Sequence, residues 1–166
     1  RSATLLDEAR HAGDYGVKIG GIELDFPGVA KFRDKIVMKG AKGVEFLMKK
    51  HKVDVHSGWG RLSGAGRVVV ANEAGETTLE TKNVILAMGS VPRDLPFLKA
   101  NGSTVVNSDH ILKSTSIPKS MLVIGSGAVG SEFASCYQRY GTKTILVEVL
   151  PRLLPVEDEE ISKEIE

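Results

Sequence analysis

"SMLVIGSGAVGSEFASCYQRYGTKTILVEV" spans residues 120–149. An apolar, β-rich run, Met121–Ile124, meets three closely spaced glycines. A helical pattern follows, then a second apolar run, Thr144–Val147, and an acid, Glu148. The glycines form a G-x-G-x-x-G match, Gly125-Ser126-Gly127-Ala128-Val129-Gly130. Alone it is weak in a chain with 18 glycines. Its setting gives it weight, because the spacing predicts a strand–turn–helix–strand unit of about 30 residues. Val129, Phe133, Cys136 and Tyr137 recur at steps of three and four and predict the buried face of the helix. Tyr140-Gly141 predicts its end.

Each glycine has a task in such a unit. Gly125 makes the tight turn, Gly127 lets a pyrophosphate approach the backbone, and Gly130 lets helix and strand pack closely. The helix N-terminus then offers unpartnered N–H groups and a partial positive charge to phosphate. Glu148 lies 18 residues beyond Gly130, at the end of the second strand. A carboxylate there accepts hydrogen bonds from ribose hydroxyls and repels a 2′-phosphate. Neither Val149 nor Leu150 is basic, so the pattern points to NAD rather than NADP. The competing reading is a strand–helix crossover whose glycines serve only close packing.

Length and composition bound the rest. A chain of 166 residues holds one ordinary domain or parts of two, and 42% hydrophobic residues suffice for a sizeable core. The balance of 22 basic and 21 acidic residues makes no electrostatic case for nucleic acid or an anionic membrane. The single cysteine, Cys136, rules out an intrachain disulfide and is compatible with a reducing cytoplasm. No run of about 18 apolar residues suggests a membrane span, and no basic-then-apolar leader opens the chain. The first residue is not Met, and "EDEEISKEIE" stops amid a helical pattern. The expectation is therefore an internal part of a longer protein.

Upstream, residues 2–12 predict a short helix ended by Gly13. Residues 27–51 predict a long amphipathic helix, with Val29, Phe32, Ile36, Val37, Val44, Leu47 and Met48 at helical steps. Pro27 is tolerated near its start. "VDVHSGWGRL", "GRVVVAN" and "TTLETK" predict a small antiparallel meander with turns at "SGAG" and "NEAGE". It should feed a buried strand, Val84–Met88. A loop with Pro92 and Pro96 follows, then a short helix near Ser108–Lys113 and a linker at "STSIP".

"VDVHSGWGRL", "NVILAMGSVPRDLP" and the glycine stretch, in that order, resemble the flavin-linked pyridine nucleotide–disulfide oxidoreductases. "VVNSDHIL", "YQRYG", "VEVLPRLLP" and "DEEISKE" are most similar to the members that oxidise dihydrolipoyl groups. The resemblance covers essentially the whole chain. It implies an α/β fold holding parts of two dinucleotide-binding, Rossmann-like domains, with a parallel sheet and a small antiparallel meander. Residues 1–113 would be the later part of an FAD-binding domain, and residues 114–166 the first half of an NAD-binding domain.

The implied cofactors are FAD and NAD. "AMGS" at 87–90 matches the family's Ala-Thr-Gly-Ser turn at FAD. Met88 replaces the threonine and loses its hydroxyl, whereas Gly89 and Ser90 match. Gly60 matches a turn glycine that approaches FAD. Read on their own, Gly89 is a strand-ending turn and Gly60 a hairpin or bulge glycine. Gly125, Ser126, Gly127, Ala128, Val129, Gly130 and Ser131 would border NAD, with Glu148 at its ribose. Glu132 would approach the nicotinamide–flavin region and pair with a lysine outside this chain; its plainer reading is a dipole-favourable acid at a helix start.

The resemblance places the first FAD fingerprint and the redox cysteine pair before Arg1, and the catalytic His–Glu pair and dimer interface beyond Glu166. No catalytic residue is therefore assigned here. Cys136, expected on the apolar side of its helix, cannot cycle alone between dithiol and disulfide. His11, His51, His56 and His110 show no metal-ligand spacing and are expected to be surface or core fillers. The implied partner is a dihydrolipoyl group on a 2-oxo acid dehydrogenase complex, and the implied setting a cytoplasmic homodimer. Two alternatives stay open: a sibling reductase of the mercuric or glutathione type, and a non-catalytic NAD-sensing module.

Overall fold

The computed structural model describes all residues, 1–166. They form two compact units, Arg1–Asp34 with Asp94–Glu166, and Lys35–Arg93.

In the first unit, α1 (Ser2–Arg10) packs against α4 (Ala128–Tyr140). The chain does not stop helically at Gly13 as expected. A 3-10 turn, Ala12–Tyr15, carries it to Gly16, whose left-handed φ of 76° ends it. Helix α2 (Phe26–Lys50) begins in this unit, with the Asp25 carboxylate accepting the Gly28 amide at 3.0 Å and Pro27 in the first turn. The core gathers Ala3, Leu6, Phe26, Ala30, Ala134 and Tyr137. Phe26 stacks edge-on against Tyr140, with ring centroids 5.4 Å apart, and Tyr137 stands 5.9 Å from Tyr140. Such tilted aromatic contacts add to the area they bury. Arg10 Nη1 donates to the Arg139 carbonyl at 2.6 Å, fastening the end of α1 to α4.

Strands β4 (Ser120–Ile124) and β5 (Lys143–Val147) pair in parallel, from Ser120 opposite Lys143 to Ile124 opposite Val147. Helix α4 joins them and ends at Gly141, φ 99°. The short α3 (Ser108–Ile111) has a reciprocal cap: Asn107 accepts the Asp109 and His110 amides, and His110 Nδ1 accepts the Asn107 amide. His110 is thus a capping residue rather than a filler. The chain ends in α5 (Glu159–Ile165), capped by Asp158.

The second unit holds the meander, β1 (Trp59–Leu62), β2 (Arg67–Asn72) and β3 (Gly75–Glu80), all antiparallel. Its core is Val69 and Val70. Both expected turns are present. Gly58 has φ 152°, and a β-carbon there would stand 2.5 Å from the Ala71 carbonyl oxygen.

Two expectations need correction here. Val84–Met88 forms no strand and is exposed, Ile85 to 90%. A β-rich run becomes a strand only where a neighbour completes its ladder, and no strand of this chain pairs with it. The apolar periodicity of α2 does set a helix, but past Ala30 its face is open, with Phe32, Ile36, Val37, Val44 and Leu47 exposed.

Candidate functional site

The site grows from the junction of β4 and α4. The Gly125 amide donates to the Val147 carbonyl at 2.9 Å, extending the ladder by one residue before the turn. Gly125 then takes φ 96°, which a side chain disfavours. Gly127 is the N-cap of α4 at φ −62°, and a β-carbon there would meet nothing within 4 Å. Gly130 is the opposite case. A β-carbon on it would collide with the Gly125 carbonyl oxygen and stand 3.4 Å from Val123 Cγ1. Gly125 bends the chain, Gly127 leaves a space open, and Gly130 brings helix onto strand.

The buried stripe of α4 differs from the expected one. It runs through Ala134 and Tyr137, in line with Gly130, whereas Val129 and Cys136 are exposed. Gly130 must face β4, and that sets the helix rotation. The stripe of contact then falls on i, i+4 and i+7 from Gly130. Counting only bulky apolar residues hid a face whose first two members are glycine and alanine. Cys136 is therefore not a core thiol.

Glu148 follows β5 directly and is half-buried. Its Oε2 accepts the Ser126 amide at 2.8 Å and the Ser126 hydroxyl at 2.9 Å. Its Oε1 accepts the Val149 amide at 2.8 Å and the Leu150 amide at 3.0 Å. Fingerprint turn and acid, 22 residues apart, are thus one hydrogen-bonded unit. The Ser126 amide above all, then the Leu150 amide and the Ser126 hydroxyl, favour the charged form and lower its pKa from the ordinary 4.5 to about 2. The folded pKa lies below the unfolded one. The stability from the ionised group is therefore complete above about pH 4.5 and disappears as pH falls through about 2. Glu148→Gln is expected to cost more stability near pH 6 than near pH 3 in urea titrations, roughly in step with this linkage. An equal cost at both would show that the carboxylate charge is not what the turn holds.

The turn also has donors to spare. Gly127 and the first residues of α4, Ala128 and Val129, have amides with no intrachain acceptor. Together with the open space over Gly127, this donor set fits a pyrophosphate. The Ser126 side chain is fully buried against Glu148, and the Ser131 hydroxyl donates to the Ser126 carbonyl at 3.0 Å. Both serines therefore shape the turn. Glu132 is exposed on the next turn of α4.

In the second unit, Gly60 lies on β1 opposite Val70 and is open on its Cα face. Met88 and Ser90 are exposed in irregular chain around Gly89, φ 71°. No hydrogen bond joins them to β1. No group of three or more His, Cys, Asp or Glu side chains is arranged for a metal, and no helix is long and apolar enough to cross a membrane.

Sequence reasoning missed Leu154 and Ser162. The Leu154 amide donates to the Ser126 carbonyl at 3.1 Å, and the buried Ser162 hydroxyl donates to the Leu154 carbonyl at 3.2 Å. The flanking Pro151 and Pro155 signalled a turn there, but nothing in the residue types signalled its target.

A parallel strand pair, a glycine turn at the intervening helix and an acid ending the second strand define a dinucleotide-binding fold. The model of the pyridine nucleotide-disulphide oxidoreductase family matches residues 4–166, and the chain belongs to that family. It is 41% identical to a dihydrolipoyl dehydrogenase of Bacillus subtilis, covering 100% of this chain and 37% of that protein. A dihydrolipoyl dehydrogenase of Chlorobaculum parvum is 39% identical over 98% of this chain and 35% of its own. The chain thus spans little more than a third of the curated relatives it matches. A crystal structure of LpdA from Mycobacterium tuberculosis superposes with a TM-score of 0.86 at 23% identity, over 99% of this chain and 37% of that one. That likeness bears on the fold alone.

Proposed function

We propose that the full-length protein is a flavin-linked dihydrolipoyl dehydrogenase, and that this chain supplies its NAD fingerprint and part of its FAD surface. The cofactors would carry electrons from a dihydrolipoyl group, by way of a cysteine disulfide and FAD, to NAD⁺. What these residues contribute is binding and orientation. Gly127, Ala128 and Val129 offer amides to the pyrophosphate, Gly125 and Gly130 set the turn, and Ser126 and Ser131 hold it. Glu148 takes the ribose, and Glu132 faces the nicotinamide end. Gly60, Met88, Gly89 and Ser90 border FAD. In this reading residues 1–113 serve the FAD domain and residues 114–166 the NAD domain. The partner is a lipoyl-bearing 2-oxo acid dehydrogenase complex, and the enzyme is a cytoplasmic homodimer.

The observation that carries the reading is the Glu148 carboxylate bonded to the fingerprint turn. A charge fixed there and ionised at neutral pH repels a 2′-phosphate, and a ribose hydroxyl would bond it by displacing one of its four intrachain donors, the Ser126 hydroxyl being the one free to rotate away. Steady-state rates of the full-length protein with dihydrolipoamide test it. NAD is expected to be used far more efficiently than NADP, and Glu148→Ala is expected to lose about tenfold or more with NAD while narrowing the gap. Equal efficiency with both cofactors in the unmutated protein would sink the assignment. A mercuric or glutathione substrate turned over in place of dihydrolipoamide would move it to a sibling reductase. Saturable NAD binding without turnover would make the protein a sensor.

A further inference from the structure

The fully buried side chains of the chain are two serines, Ser126 and Ser162. Leu154 links them. It is one of two non-glycine residues with positive φ, 46°. A leucine disfavours that conformation, so something must hold it. Its amide donates to the Ser126 carbonyl at 3.1 Å, and its carbonyl accepts the Ser162 hydroxyl at 3.2 Å and the Glu157 amide at 2.9 Å. Ser162 stands on α5, outside the glycine turn and with no bond to Glu148.

The consequence lies in one peptide plane. The chain has no cis peptide, so the Ser126 carbonyl and the Gly127 N–H point in opposite directions across the same planar group. Leu154 and the Ser131 hydroxyl, at 3.0 Å, both grip that carbonyl. Gripping it aims the Gly127 amide the other way, where the amide has no intrachain acceptor and the glycine is open. We propose that Ser162 is a positioning residue for the dinucleotide turn: through Leu154 it fixes the Ser126–Gly127 peptide with its N–H presented to phosphate. This rests on the reading that the turn receives the NAD pyrophosphate.

The test uses the full-length protein. Ser162→Ala is expected to raise the KM for NAD about three- to tenfold, the scale of one lost hydrogen bond, with kcat and flavin content nearly unchanged. Leu154→Gly separates this from simple loosening of α5, because glycine adopts positive φ without being held. Whatever KM Leu154→Gly shows on its own, adding Ser162→Ala to it should raise that KM by clearly less than Ser162→Ala raises it in the unmutated background. An unchanged KM in Ser162→Ala, in a protein that saturates with NAD normally, overturns the link and leaves the cofactor reading standing. An equal rise in KM in both backgrounds also overturns it, because the effect would then be a general one. An unmutated protein that shows no saturation with NAD overturns both.

Discussion

Gly130→Ala is expected to cripple the NAD half of the full-length protein. The added carbon would collide with the Gly125 carbonyl oxygen, lie 3.1 Å from the Gly125 carbonyl carbon and 3.4 Å from Val123 Cγ1. Two of those atoms are backbone, so neither can swing aside as a long side chain would. Either α4 lifts from β4 or the Gly125 turn deforms. Overpacking of this kind costs about 1–3 kcal/mol, which denaturant titration will register. The turn that deforms is the one whose next residue bonds Glu148, so stability and function fall together. A misplacement near 1 Å costs on the order of 100-fold in rate. We therefore expect NAD-linked turnover to drop by about that factor, with a lower unfolding midpoint. Wild-type stability together with wild-type NAD kinetics would show that α4 can shift freely, contrary to the contact seen.

How far the sequence could be read varied with how local each signal was. The fingerprint, the meander turns, α2, α3 and the parallel β4–β5 pair rest on short-range patterns, and all are present. Two features depend on what lies alongside. Val84–Met88 has strand chemistry without a ladder partner. The apolar face of α2 has helical spacing without a cover. The rotation of α4 was misread for a different reason. Its deciding residue, Gly130, acts through an absent side chain, which no count of hydrophobic residues detects. At the site, Glu148 was legible because its spacing from the glycines is a property of the strand–helix–strand unit. Its four hydrogen bonds were not, nor was the link from Ser162 through Leu154 to Ser126. Two of those bonds, from Val149 and Leu150, and the link through Leu154 depend on how residues 149–158 fold back, and leucines and prolines do not encode that in their order.

Gly127→Val is the complementary experiment, and its outcome should differ from that of Gly130→Ala. Gly127 sits at φ −62° and ψ 174°, a conformation valine accepts, and its β-carbon would meet no atom of the chain within 4 Å. The fold should tolerate the change, apart from a poorer N-cap worth about 1 kcal/mol or less. The space that valine fills is the one left for a pyrophosphate. The branched side chain would stand over the unpartnered Gly127, Ala128 and Val129 amides and keep an anion from their hydrogen bonds. Losing several charge-assisted contacts together removes on the order of 3 kcal/mol or more, roughly a hundredfold in affinity. The expected result is a KM for NAD raised by at least about that factor, with flavin content intact and the unfolding midpoint nearly so. Gly127→Ser serves as the control for capping. It improves the N-cap and adds less bulk, so it should gain slightly in stability while losing NAD affinity to a smaller degree. Loss of flavin in parallel with NAD would point to misfolding. Unchanged NAD affinity in Gly127→Val would mean that the phosphates rest somewhere other than this turn.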